Sequence, residues 1–526
     1  MKTKRQFFFL HTLAIALLLV LPLSAQTVYR VSDKARWTGN ALSQYVGQTI
    51  RLADDWYVCS NYNGYRISPR RIFSPTNQAL PQSAAYETLL TLNNNGTVSL
   101  SGVEGYHRTG ERLHNAVVRV TSTGSLTLQS GQWTGNTRAD IQAGYDRRLI
   151  DLNGKHTLLV CAANLRYYLV ENMGTGMGAD DYAEHQIQRR KVSEALALIN
   201  ADIYALVEVE QGQSALAEIA VDLTKKTGRN FTYINDGTVS SGSYTKSGYV
   251  YCTATVRPHS LLRGNNTGVR NRKYFQCFEE RATGERFLLS INHFKAKSGN
   301  GSGDNADHGD GQGSFNGDRV REAQSVLTEY ANYKTFVQDE DLLVMGDLNA
   351  YAMEDPIRLM TDNGLTDLHR YFHRDSSYSY VYSSQAGYLD HALCNSTMLP
   401  QVTGMLGFHI NSDERDTYSY NRSDDGTMFR YSDHDPILVG LRLRPLTQTL
   451  TEIVSDADML FGEGYLSVNN AQGGILRVYD MQGRLQEQMN ITSETFTLNT
   501  SSWLRGTYIA HLYYKGEVLH RKLLIP

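Results

Sequence analysis

The residues best placed to do chemistry sit at the ends of apolar runs. Leu342 to Met345 reads as a strand buried on both faces, and Gly346 turns the backbone where Asp347 and Asn349 follow. A carboxylate and a carboxamide so close at a strand mouth can share one cleft, although turn chemistry alone would make them an Asp and an Asn completing a turn. Other apolar runs end the same way. Thr157 to Cys161 leads to Asn164, Ile203 to Val207 to Glu208, and Phe287 to Ile291 to His293. Asp390 sits at the edge of a strand after Tyr388-Leu389, and Asp433-His434 precedes the apolar run Ile437 to Leu443. A single His or Asp after a strand is ordinarily a satisfied surface or core residue. The recurrence argues for one site.

Phosphodiester hydrolysis calls for such a set: the substrate charge must be shielded, a water aligned with the leaving oxygen, and that oxygen stabilised as it departs. Glu208, Asp433 and the amide oxygen of Asn164 are hard donors suited to Mg²⁺ or Mn²⁺, and no Cys/His cluster argues for zinc. His434 with a separate buried carboxylate, Asp390, makes a candidate general base, because the carboxylate fixes the tautomer and stabilises the imidazolium. His293 can donate to a phosphate oxygen. Lys295 and Lys297 are candidate substrate-phosphate contacts beside it, or else a solvated face. Calcium in the Asp304–Asp310 loop is left open.

The positioning elements alternate between strands and helices from residue 155 to 445. Val192, Ala195, Leu196 and Ile199 keep the spacing of an amphipathic helix, as do Leu216, Ile219, Ala220 and Leu223, then Val320, Ala323, Leu327 and Tyr330. Tyr249–Val256 and Tyr274–Glu279 read as paired strands, and Asp355-Pro356 starts a short helix ending at Gly364. Residues 26–150 read instead as short strands between turns, with no useful helix-period segment. Their aromatics (Trp56, Tyr57, Tyr62, Tyr65) and basic cluster (Arg66, Arg70, Arg71) fit a small barrel that stacks bases, or a packing or spacer module. Residues 446–465 read as a linker and 466–526 as a compact β domain.

The chain is 526 residues long with 41% hydrophobic content, enough for about three domains. Residues 1–25 have the form of an export signal: Lys2, Lys4 and Arg5, the apolar run Phe7 to Leu21, and Leu23-Ser24-Ala25 before Gln26. An uncleaved anchor is the other reading, but the run is short for a bilayer and interrupted by His11 and Thr12. No other segment is apolar enough to span a membrane, so the mature protein is expected to be secreted and soluble. Without the signal, 48 Lys+Arg face 54 Asp+Glu, so nucleic acid cannot be held by a broadly basic surface. The five cysteines match no zinc spacing; Cys252 and Cys277, in neighbouring expected strands, either pair or remain buried thiols.

The motifs Asn164-Leu165-Arg166, Leu206-Val207-Glu208, Asn292-His293-Phe294-Lys295, Gly346-Asp347-Leu348-Asn349-Ala350-Tyr351, Gly387-Tyr388-Leu389-Asp390-His391-Ala392 and Ser432-Asp433-His434-Asp435-Pro436 occur in the order of the endonuclease/exonuclease/phosphatase superfamily. Over about residues 155–443 the chain resembles its secreted bacterial nuclease branch. The resemblance implies a four-layer α/β/β/α sandwich, with Asn164, Glu208 and Asp433 at the metal and His293 at the phosphate. Asp347 and Asn349 would surround the attacking water, and Asp390 would orient His434 as base. It implies attack leaving a 5′-phosphate, with DNA or RNA as substrate. Pancreatic-type members place an acid, absent here, on the strand running Lys246 to Val256 to pair with the phosphate-site His. Tyr45 to Pro75 looks like an oligonucleotide-binding-like (OB-fold) module. Residues 475–480, 504–509 and 521–525 are similar to the C-terminal sorting domain of type IX secretion cargo, which implies the secretion machinery as a partner. A lipid phosphodiesterase of the sphingomyelinase kind is an alternative on the same fold, but no convincing exposed aromatic hairpin for membrane contact is visible. A surface adhesin with a retired site is another.

Overall fold

The computed structural model describes residues 27–143, 150–239, 245–260, 262, 273–415, 423–444, 457–462, 465–481, 484–514 and 517–525. The expected export signal lies outside them. Among the described residues no helix is long and apolar enough to cross a membrane.

The first strands are β1 (Thr27–Tyr29), β2 (Thr49–Leu52), β3 (Trp56–Ser60), β4 (Tyr65–Ser68), β5 (Val98–Ser101), β6 (Arg112–Ser122) and β7 (Ser125–Thr134). Strands β3, β4, β5, β7 and β6 pair in that order, and β6 pairs back to β3, so the sheet closes into a barrel. Closure removes free edges, and Trp56, Val58, Ile67, Val98 and Val118 fill the interior. Between β4 and β5 lie two helices, α1 (Pro75–Gln78) and α2 (Ala84–Asn94), and α3 (Arg138–Ala143) follows β7. Helix α2 corrects the expectation of a helix-free region. Its start is fixed by Ser83, whose hydroxyl accepts from the Tyr86 N–H at 3.2 Å. It buries only Tyr86 and Asn93, so no apolar stripe marks it in the sequence.

Much of the aromatic and basic cluster of this region is used in packing, although Tyr62 is exposed. Trp56 and Tyr65 are core residues, Arg66 bonds Thr97, and Arg70 bonds Asn93. Arg71 lies over the Tyr378 ring at 3.8 Å and pairs with Asp413 at 2.8 Å. Arg108 and Arg138 pair with Glu414 in the same way. Asp413 and Glu414 belong to the sandwich that follows, and both are buried. The barrel is therefore docked through compensated buried charge, not tethered as a spacer.

The sandwich begins with β8 (Leu158–Tyr168), α4 (Tyr182–Ile199), β9 (Ile203–Glu210), α5 (Ser214–Thr227), β10 (Phe231–Tyr233), β11 (Thr245–Cys252), β12 (Val256–Pro258), β13 (Lys273–Glu280) and β14 (Arg286–His293). It continues with α6 (Asn316–Val337), β15 (Leu342–Asp347), α7 (Asp355–Asp362), β16 (Thr366–Asp367), α8 (Leu368–His373), β17 (Tyr380–Tyr382), β18 (Gln385–Gly387), β19 (Asp390–Cys394), β20 (Val402–Gly407) and β21 (Ile437–Leu441). One sheet runs β10-β11-β9-β8-β21-β20 and the other β12-β13-β14-β15-β19-β16. Strand alternation then sorts the apolar residues into layers. Leu158, Val160, Phe287, Leu289, Leu343 and Met345 meet between the sheets. Leu159 and Cys161 pack on α4 and α5, while Leu288, Leu342 and Val344 pack on α6 and α7. The result is the expected α/β/β/α order, each fully buried Leu, Ile or Phe contributing roughly 1.5–3 kcal/mol.

One expected pairing changes. Tyr249–Val256 is not a single strand, because the chain turns at Thr253-Ala254-Thr255; β11 stays in the first sheet and only β12 pairs with β13. Period-2 patterning fixes which face a residue takes, not which strand it pairs with. Cys252 and Cys277 consequently lie in the two opposite outer layers, and all five cysteines are free and buried.

Residues 445–526 form a separate unit. Its described strands lie between Asp458 and Ile525, in a three-stranded and a four-stranded sheet around Leu466, Val478, Leu512 and Leu523. The first, Asp458–Gly462, begins inside the stretch expected as linker.

Candidate active site

The alternation that builds the inter-sheet core also aims the polar residues at its rim. Along β14, Phe287, Leu289 and Ile291 face inward, and the next position on that face is His293. Leu343 and Met345 lead in the same way to Asp347, Cys394 and Ala392 to Asp390, and Val160 and Ala162 to Asn164. Register then aligns them: His293 lies opposite Asp347, and Asp347 opposite Asp390. Gly346 permits this close pairing, since its φ is +125° and a Cβ there would stand 2.0 Å from the Asn292 carbonyl oxygen.

Glu208 reaches the same rim by breaking the pattern. Val207 faces the inter-sheet core and Val209 the helix layer, with Glu208 held between them at φ +57°. Asn349 has φ +48°, and Arg166 and Tyr167 have φ +50° and +55° where the β8–β9 register slips. Left-handed backbone at non-glycine residues costs on the order of 1–3 kcal/mol each and concentrates at functional sites.

The side chains converge. Asn164 Nδ2 donates to Glu208 Oε1 and to Asp347 Oδ2, each at 3.2 Å. His293 Nε2 stands 3.6 Å from Glu208 Oε1 and 3.7 Å from Asp347 Oδ2. His434 Nε2 lies 3.9 Å from Asp347 Oδ2, while its Nδ1 is 2.8 Å from Asp390 Oδ2. Ser379 Oγ donates to that Asp390 oxygen at 2.6 Å. The Asn349 N–H donates to Asp347 Oδ1 at 2.9 Å, and its carboxamide to the Phe294 carbonyl at 3.1 Å. With no acid on β11, the His293 ring has two carboxylates on its Nε2 side.

Charge is crowded here. Burial, then Asp390 and Glu208 against the opposing His434, pushes the Asp347 carboxyl up to about 7. Burial and Asp433 also raise Glu208. Burial alone would lower His434, but Asp390 and Asp347 hold its proton well above the ordinary imidazole range. Asp433 is held below the ordinary carboxylate range, its burial outweighed by His434, Arg166 and Arg430.

The residues fit a hard cation. Glu208, His293 and Asp347 present one ligand atom each within 4.8 Å of one another, and so do Asp347, Asp390 and His434. The other two expected metal ligands, Asp433 and Asn164, are engaged with Arg166. Asp433 belongs to neither group: its Oδ2 accepts from Arg166 at 2.8 Å, and its Oδ1 is buried without a hydrogen-bond partner. Asn164 turns its nitrogen, not its oxygen, toward the acids, and its Oδ1 accepts from the Arg166 N–H at 2.8 Å. Both candidate phosphate lysines have protein partners. Lys297 lines the cleft, but its ammonium is ion-paired with buried Glu354 and bonds the Gln312 carbonyl at 2.9 Å. Lys295 lies over the Phe315 ring at 4.1 Å. In the loop considered for calcium, Asp304 pairs with Arg321, and Asp307 and Asp310 accept loop N–H groups.

A cleft of 840 Å³ holds the site. Its lining includes residues that the strand-end pattern does not reach: Arg166, Tyr351, Tyr380 and Tyr382 from the sandwich, and Pro75, Thr76, Tyr86 and Leu90 from the barrel's helices. The signal for Tyr380 and Tyr382 was present as an aromatic alternation before Ser383-Ser384. No local signal marks the barrel residues.

The profile of the Endonuclease/Exonuclease/phosphatase family matches residues 172–434. The chain belongs to this family. Among solved structures, it is 15% identical to an endonuclease/exonuclease/phosphatase from Bacteroides vulgatus, covering 55% of this chain and 99% of that one, with a TM-score of 0.36. The human Nocturnin catalytic domain with bound sulfate is 14% identical over 55% of this chain and 94% of that one, TM-score 0.36. D. rerio TDP2 complexed with single-strand DNA product is 14% identical over 54% and 99%, TM-score 0.35. No curated protein matches. Within the family match lie Glu208, His293, Asp347, Asn349, Asp390, Asp433 and His434; Asn164 precedes it.

Proposed function

We propose that this chain is a secreted, divalent-metal-dependent endonuclease that hydrolyses DNA by in-line attack of water, leaving 5′-phosphate ends. The observation that carries the reading is the His434–Asp390 pair, at 2.8 Å, beside the same Asp347 carboxylate that neighbours Glu208 and His293. Asp390 accepts at Nδ1, so Nε2 is the nitrogen that takes a proton from water once the surrounding carboxylate charge is offset and His434 has become neutral. His293 donates to a phosphate oxygen from the opposite side of Asp347, and Asn349 fixes Asp347 through its backbone N–H. Arg166, paired with Asp433 at the cleft wall, supplies positive charge beside the phosphate. A Mg²⁺ or Mn²⁺ ion held by Glu208 and Asp347 would offset the crowded carboxylates and shield the scissile phosphate.

The closed five-stranded barrel supports an OB-like accessory module. Secretion is supported by the form of residues 1–25, and surface sorting by the small all-β unit at residues 445–526. A lipid phosphodiesterase is the second reading, because the structure has an exposed aromatic hairpin: Tyr382 on β17 is 68% exposed. That hairpin lines the cleft beside His434, which favours contact with substrate over contact with a membrane.

The test is to incubate the mature chain with plasmid DNA, RNA and sphingomyelin vesicles, each with Mg²⁺, with Mn²⁺ and with EDTA. DNA cleavage that EDTA stops and either metal restores is expected. Turnover of sphingomyelin alone would overturn the nuclease, and chelator-insensitive cleavage the cation.

A further inference from the structure

We propose that Tyr380 and Tyr382 form a stacking ladder for unpaired bases beside the scissile phosphate, and that the strand leaves the catalytic cleft across this hairpin into a second groove against the barrel. The inference rests on the nuclease reading above and names its substrate class: nucleic acid with unpaired bases around the cleaved bond.

Four observations carry it. First, Tyr380 and Tyr382 are two residues apart on one strand and so share a face; their rings are near parallel, 8° between planes, with centroids 6.5 Å apart. Two stacked layers of aromatic rings occupy about the same span, so the spacing suits flat bases. Second, the ladder starts at the chemistry, since the Tyr380 ring centroid lies 4.8 Å from that of His434. Third, the hairpin divides two cavities and lines both. On one side is the catalytic cleft; on the other is a 530 Å³ groove that shares Tyr380, Tyr382, Ser383 and Asp433 and adds Asn61 and Tyr62 of the barrel and Arg430 of the sandwich.

Fourth, the hairpin is held in place. Ser383 and Ser384 turn it with φ of +51° and +67°, and β18 is gripped by the barrel: the Ala386 N–H donates to the Ile72 carbonyl and the Ser74 N–H to the Ala386 carbonyl, both at 2.8 Å. A platform already fixed loses little freedom when a base stacks on it. Base–aromatic stacking is tolerant of sequence because every base offers a flat face, but a base still paired in a duplex does not offer that face to a side chain. The ladder therefore predicts a preference for single strands, loops or frayed ends.

The test uses the full mature chain, a single-stranded oligonucleotide, the matching duplex, and the same strand made abasic at the nucleotides flanking the cleaved bond. The wild type is expected to cleave the strand with bases faster, in kcat/KM, than both others. Tyr382→Ala should reduce the based-to-abasic ratio by about 5- to 150-fold, the range for loss of one base–aromatic stack. Tyr382→Phe, which keeps the ring, should retain the ratio. A wild-type ratio near one, or a ratio unchanged in Tyr382→Ala, would overturn the ladder while leaving the nuclease reading intact. Failure of the wild type to cut any nucleic acid would overturn both. Loss of sphingomyelin-vesicle binding in Tyr382→Ala, with its based-to-abasic ratio intact, would reassign the hairpin to a membrane.

Discussion

Two groups of buried carboxylates lie in one compact unit and behave in opposite ways. Asp413 and Glu414 are matched by Arg71, Arg108 and Arg138, and burial of Asp413 is outweighed by Arg71 and Arg108, so its carboxyl stays below the ordinary range. Glu208, Asp347 and Asp390 are gathered as tightly around two imidazoles, and there Glu208 and Asp347 are raised. Burial is common to both; compensation is not. Where arginines complete the charge, the acids join barrel to sandwich. Where they do not, burial and mutual repulsion raise the acids, an imbalance of the kind that concentrates at functional sites.

That contrast can be broken by substitution. Asp347→Asn is expected to lower kcat on DNA by about 10²–10⁴-fold, the span of an acid–base or positioning contribution, without lowering Tm. His434→Ala should do the same to activity, with unchanged circular dichroism. Arg108→Met should do the reverse. It leaves buried Glu414 with Arg138 as its one arginine partner among the described residues, so a loss of about 1.5–3 kcal/mol in urea unfolding is expected. A comparable Tm loss in Asp347→Asn and Arg108→Met would remove the distinction between the clusters.

The smallest effect is in acid. Because the folded-state pKa of Asp413 is depressed, its contribution to stability is present above the unfolded value of about 3.9 and is lost as pH falls below it. Asp413→Asn should therefore flatten the fall of the unfolding midpoint as pH drops below about 4; a wild-type acid slope in the variant would place the sensitivity elsewhere.

The site was legible in the sequence where it followed from strand geometry. His293, Asp347 and Asp390 each end an alternating apolar series, and alternation is a local property. What depends on distant partners was not legible. Lys297 reads as a free cation until Glu354, well along the chain, is folded beneath it. Arg71 reads as part of a nucleic-acid surface and nothing local marks Arg108, and their partners lie 342 and 306 positions away. Helix α2 has no apolar stripe, and the break between β11 and β12 changes sheets without changing the period. The barrel's place in the cleft wall, through Thr76 bonding Glu354 at 2.8 Å and the Met353 N–H donating to the Thr76 carbonyl at 2.9 Å, follows from those same remote contacts.

Strand β21 sits between β8 and β20, so the sandwich's opening and closing strands are neighbours in the middle of one sheet. Until residue 441 has been synthesised that sheet is two fragments with a gap, and His434 arrives only three residues before the strand that fills it. The nascent polypeptide thus lacks part of the candidate site for most of its translation, and completing that sheet waits on a pairing between the first and last strands of the sandwich. Its candidate site is therefore among the last features of the sandwich to be completed as the polypeptide emerges.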